Sequence, residues 1–181
     1  MEERCGRMGP RRRVRIYDLS DTLRLGTHEP MPIQINYIDH SLGAHHAAAL
    51  FQLEPSDFPE GKAWAVEQMT LSTHSGTHLD APYHYGPYSE GRPARTIDQV
   101  PLEWCFSDGV VLDFSDRAAG YLITVEDVQG ALDKIDYRLR PYDIVLIRTD
   151  AYQRIGEPGY EFTHPGMSEE ATLWLIDRGI K

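Results

Sequence analysis

Two cysteines, Cys5 and Cys105, are all the thiol the chain holds, and they form no CxxC pair. That excludes a disulfide framework and a cysteine zinc knuckle, and it fits a reducing, cytoplasmic setting. No apolar run approaches the roughly 18 residues of a membrane span. Residues 1–30 contain no apolar stretch of the kind at the centre of a signal peptide. Basic residues are scarce outside one place. Six arginines fall within residues 1–15 against Glu2 and Glu3, so residues 16–181 hold 12 of the 18 basic side chains and 26 of the 28 acidic ones, a net charge of −14. A body that acidic repels nucleic acid and anionic lipid, and neither is expected as a partner. The Gly/Pro-punctuated arginine cluster has no interleaved aromatics, and residues 1–13 are expected to be a solvated, mobile tail.

What remains is ordinary globular material. Hydrophobic residues make up 41% and charged residues 25% of 181 residues, enough for one domain, expected over 14–181. Val14 to Leu19 alternates like a strand. Residues 26–62 are rich in Pro, Gly and His and read as loops, with a short helix near 44–51. Residues 63–73 have strand composition, and 81–101, with six Pro and Gly, read as a long loop. Gly109–Phe114 and Asp143–Arg148 are apolar runs of strand length. Thr124, followed by Glu126 and Asp127, caps a helix whose apolar residues run to Ile135. Ser168 caps a second, ended by Gly179. This alternation predicts an α/β fold with parallel pairing. The last residues read as the start of a further strand, so a continuation of the polypeptide beyond Lys181 is expected.

The chemistry concentrates in His74-Ser75-Gly76-Thr77-His78-Leu79-Asp80-Ala81-Pro82-Tyr83-His84. Three imidazoles and a carboxylate occupy even positions, one face of an extended chain. A helix is disfavoured by Gly76, Thr73, Thr77 and Pro82, and the glutamate of H-E-x-x-H is missing. In an ideal strand His74 and His78 lie roughly 13 Å apart, too far for one ion. The chain must therefore bend between them, and Gly76 is the residue able to bend. His74, His78 and Asp80 suit Zn²⁺, with Mn²⁺ as the alternative. Three protein ligands leave a position for water, whose acidity the ion raises until it ionises near pH 7. His84 is placed to carry protons.

The eleven-residue motif resembles the signature of the cyclase family that includes bacterial kynurenine formamidases and isatin hydrolases. Tyr17-Asp18-Leu19-Ser20 is similar to the family's opening strand, Thr96–Leu102 to its loop after the motif, and Gly109–Ser115 to the strand that follows. The resemblance implies a swivelling β/β/α domain, usually a homodimer or homotetramer. It also implies metal-dependent hydrolysis of a small cyclic or aryl amide, with His74, His78 and Asp80 as first-metal ligands and His84 as proton donor and acceptor. Asp80 matches a carboxylate able to bridge to a second ion, but the histidine and glutamate that the family adds for that ion have no match in this chain. Tyr83, Tyr85, Asp150 and His164 are candidate substrate contacts, and Asp18 and Ser20 candidate partners that orient a metal-bound histidine. Two rival readings are a cyclase or dehydratase acting on a polyketide or hydroxy acid, and a non-catalytic metal- or ligand-binding protein.

Overall fold

Residues 15–25 and 32–181 are described by a computed structural model. The tail expected over 1–13 lies outside them. The strand expected over 14–19 does not form: Val14 is outside the described residues, and 15–24 have no regular structure. Its alternation finds no partner strand among the described residues, and Ile16, Tyr17 and Leu19 are exposed.

The first paired strand is β1 (Gln34–Ile38), inside a region whose composition reads as loop. Asp39 then caps helix α1 (His40–Phe51) by accepting from the Leu42 N–H, and Gln52 ends it in a left-handed conformation. The helix begins four residues earlier than expected. Its inner face is Gly43, Ala44, Ala47 and Ala48, small enough to lie directly on the backbone. A Cβ added at Gly43 would stand 1.8 Å from the Trp64 carbonyl oxygen. The chain returns as β2 (Val66–Thr70), antiparallel to β1 with Ile38 opposite Val66.

The expected long loop of residues 81–101 is partly ordered. It contains the one-turn helix α2 (Pro82–Tyr85) and the hairpin β3 (Tyr88–Ser89) and β4 (Arg92–Pro93). Glu90 and Gly91 turn that hairpin with φ of 52° and 72°, as a two-residue hairpin requires.

The second half follows its sequence pattern closely. Strands β5 (Gly109–Asp113) and β7 (Ile144–Arg148) pair in parallel, Gly109 opposite Ile144 and Asp113 opposite Arg148. Between them lie β6 (Leu122–Ile123) and α3 (Val125–Lys134), and after them β8 (Gly166–Met167) and α4 (Glu169–Ile176). β6 and β8 are also parallel. The fold is therefore α/β, built among the described residues from two-stranded sheets. Both α3 and α4 start on side-chain caps. Thr124 and Asp127 form a reciprocal capping box, and Ser168 accepts from the Ala171 N–H. Val110, Leu112, Phe114, Ile123, Val128, Leu132, Ala171 and Leu175 form the core that α3 and α4 close over the sheet.

Gly43→Ala should lower the melting temperature and cost about 2–3 kcal/mol in urea unfolding, because the new methyl overlaps backbone. Gly130, exposed in α3 with nothing within 4 Å of an added Cβ, should tolerate alanine with a gain of about 0.5–1 kcal/mol. The Asp127 carboxyl is held below its usual range, first by the Thr124 N–H and then by the Tyr121 hydroxyl, with the Thr124 hydroxyl and Arg117 assisting against burial. A depressed folded-state pKa contributes stability above the unfolded value of about 3.9 and loses it as pH falls through the folded value. Asp127→Asn should thus be less stable than wild type at pH 7, and the gap should narrow below about pH 4 in unfolding titrations.

Candidate metal centre

The chain bends where the motif requires it. Gly76 has φ 62°, a left-handed conformation that glycine adopts without a Cβ clash, and the Ser75 N–H closes the preceding turn on the Ser72 carbonyl. His74 is thereby folded back toward His78 and Asp80, and ligand atoms of these three residues all lie within 4.8 Å of one another. His74 Nδ1 is 2.7 Å and His78 Nε2 3.3 Å from the same oxygen, Asp80 Oδ1. The His78 Nδ1 lies 2.8 Å from the Gly76 carbonyl. That acceptor fixes the proton on Nδ1 and leaves the Nε2 lone pair facing Asp80, the arrangement found for metal-ligating histidines. The donor set, two imidazole nitrogens and one carboxylate oxygen, fits a divalent ion of the zinc or manganese type.

His84 reaches the cluster by a different route from the one its spacing predicts. The extended stretch ends at Ala81, and Pro82 opens the single turn of α2, where its missing N–H is no loss. That turn stacks the His84 ring on the His74 ring, with centroids 3.9 Å apart and planes tilted by 37°. Tyr85 follows, its hydroxyl donating to Asp80 Oδ2 at 3.0 Å. Burial acts to raise the Asp80 carboxyl, but the Tyr85 and His74 hydrogen bonds and the nearby His84 and His74 outweigh it and hold the carboxyl below its usual range.

The cluster opens into a cleft of about 1260 Å³. One wall is Leu19 to Leu25, which crosses over the motif. The Asp21 N–H donates to Thr77 Oγ1 at 2.9 Å, and a Cβ at Gly76 would come 2.6 Å from Leu23 Cδ2. Tyr152, Ile155 and Tyr160, from a segment that follows β7, line the cleft too. Arg24 also lines the cleft. Ser75 Oγ is buried beside His74 without a hydrogen-bond partner among the described residues.

The other sequence candidates are placed as follows. Ser20 lines the cleft. Asp18 instead accepts from the Ser20 N–H at 2.9 Å in a local turn. Tyr83 is 58% exposed and away from the cleft lining. Asp150, in a left-handed conformation, forms a two-point ion pair with Arg148 at 2.7 and 2.9 Å. It lines a smaller recess of about 400 Å³. His164 turns its Nδ1 to the Pro165 carbonyl and does not line the cleft. Of the wall at 19–25 only Ser20 was among the sequence candidates, and the wall at 152–160 was not legible, because nothing local in that segment marks it as facing a motif so far back in the chain.

An α/β domain carrying a two-histidine, one-aspartate cluster defines a class of candidate metal proteins, and comparison with known proteins narrows it. Residues 17–181 match the family model described as Putative cyclase, and the chain belongs to that family. It is 31% identical over 136 residues to a kynurenine formamidase of Bordetella petrii, covering 70% of this chain and 58% of that protein. To a kynurenine formamidase of Erythrobacter litoralis it is 28% identical, covering 92% and 63%. Among solved structures, isatin hydrolase A from Ralstonia solanacearum superposes with a TM-score of 0.70 at 26% identity, covering 91% of this chain and 64% of that one. An isatin hydrolase bound to the product analogue thioisatinate shares the fold, with a TM-score of 0.61 at 21% identity, covering 82% and 53%. The chain thus spans between half and two thirds of the length of these relatives. No described helix is long and apolar enough to cross a membrane.

Asp80→Asn should raise the dissociation constant for Zn²⁺ at least tenfold in calorimetric titration of metal-free protein. His84→Ala should leave it within about threefold, since His84 stands outside the three-residue cluster.

Proposed function

We propose that this chain carries the first-metal centre of an amide hydrolase, acting on a small cyclic or aryl amide such as an N-formyl arylamine or an isatin-type lactam. The observation that supports this most directly is the convergence of His74, His78 and Asp80 with His84 stacked against them. The kynurenine formamidase and isatin hydrolase relatives supply the substrate class. A divalent ion, Zn²⁺ by preference and Mn²⁺ as the alternative, when bound supplies Lewis acidity and a water acidic enough to attack a carbonyl near neutral pH.

The remaining work falls to side chains. His74, His78 and Asp80 would hold the ion. His84, beside them and not needed as a ligand, accepts the proton that the attacking water gives up and returns it to the departing nitrogen. Leu19, Leu23, Tyr152 and Ile155 offer apolar surface that removes water from around a planar ring. Tyr152 and Tyr160, rather than Tyr83, are the aromatic side chains that line the cleft.

Turnover of an N-formyl aryl amide and of isatin by metal-loaded protein tests the reading. His84→Ala should lower kcat by about 10²–10⁴ while the bound metal is retained. Full activity in chelator-treated, metal-free protein would refute the metal role, and an unchanged rate in His84→Ala would refute the proton relay.

A further inference from the structure

A carboxylate has two oxygens, and the cluster draws on one of them. Asp80 Oδ1 faces both imidazoles, 2.7 Å from His74 Nδ1 and 3.3 Å from His78 Nε2. Oδ2 accepts the Tyr85 hydroxyl at 3.0 Å. Without that bond the carboxylate plane is free to rotate about its terminal torsion, which is broad and roughly two-fold. With it, one oxygen is held outward and the other is held on the imidazoles.

Tyr85 makes a second contact. Its ring meets the His84 ring edge-on, with centroids 4.9 Å apart and planes at 78°. The two residues are neighbours in α2, so one helical turn sets the phenol hydroxyl on Asp80 and the phenol ring on His84 together. The side chain otherwise lies in solvent: Tyr85 is 77% exposed. It does not line the cleft, which removes it from the expected substrate contacts. Its neighbour Tyr83 is also exposed, and its described hydrogen bond is a backbone one, from its N–H to the Arg95 carbonyl.

We propose that Tyr85 is a positioning residue for this centre: its hydroxyl fixes the Asp80 carboxylate with Oδ1 turned to His74 and His78, and its ring holds His84 in place beside them. The proposal rests on reading the three-residue cluster as a metal site, and it concerns how tightly that site is organised. Hydrogen-bonded partners behind metal ligands are worth 10–100-fold in affinity, and Tyr85 is a partner of that kind reached from the solvent side.

The test compares wild type, Tyr85→Phe and Tyr83→Phe, each stripped of metal and titrated with Zn²⁺ by calorimetry and with Co²⁺ by visible absorption. Tyr85→Phe should weaken Zn²⁺ binding by about 10-fold or more and shift the Co²⁺ bands, while its metal-free melting temperature stays at the wild-type value. Tyr83→Phe should match wild type in all three. Wild-type affinity and an unchanged Co²⁺ spectrum in Tyr85→Phe would overturn the proposal. So would a fall in metal-free melting temperature large enough to account for the whole loss, since that marks a merely structural role. Failure of wild type itself to bind either ion would overturn the metal reading beneath it, an outcome distinct from both.

Discussion

The site depends on one backbone conformation. Four residues of extended chain hold two side chains roughly 13 Å apart, and no side-chain rotation closes that gap for bonds of about 2 Å. The left-handed turn at Gly76 closes it, bringing the His74 and His78 rings to 5.2 Å between centroids. The same turn leaves the Leu23 side chain seated near where a Cβ would be, so the bend that gathers the two histidines also lets the 19–25 segment approach them. Glycine at this position thus serves a torsion that L side chains rarely adopt, and it also leaves room for the Leu23 side chain.

A second device completes the constellation. His84 is ten residues after His74, and an extended chain carries it far from the turn. Pro82 starts a helical turn instead, and shortening the path from about 3.3 Å to about 1.5 Å per residue brings His84 back over His74. The motif therefore combines a turn, a short extended stretch and one helical turn. The even spacing of its polar residues describes only the middle piece, from His78 to Asp80.

What the sequence shows plainly is whatever is decided locally. The caps at Thr124 and Ser168, the apolar runs that became β5 and β7, and the histidines and aspartate that cluster at 74, 78 and 80 each carry their own signal within a few residues. β1 carried no such signal, whereas β2 lies within the strand composition of residues 63–73 and α1 overlaps the helix expected near 44–51. The first turn of α1 was hidden because the helix is built for contact with backbone and uses Gly and Ala where an amphipathic pattern would show Leu. The segment at 14–19 had the alternation of a strand but no neighbour to pair with among the described residues, and alternation alone supplies no hydrogen-bond partner. Tyr152 and Tyr160 line the cleft from the 3₁₀ turns that follow β7, and nothing in their residue types marks them for it.

Asp150 illustrates how a general rule meets local pairing. Ligands in α/β folds gather at the carboxyl ends of parallel strands, and Asp150 follows the end of β7. But Asp113, at the matching end of β5, is bridged by Arg148, which also holds Asp150 at two points. Arg148 thereby ties the two carboxylates together across the parallel pair and acts as a clasp on the strand ends. The chain clears the clasp in a 3₁₀ turn, and it is Tyr152, two residues on, that lines the cleft. The strand ends are thus tied to each other, while the clustered histidines and aspartate come from the turn at Gly76 and the helical turn at Pro82, outside the β5–β7 sheet.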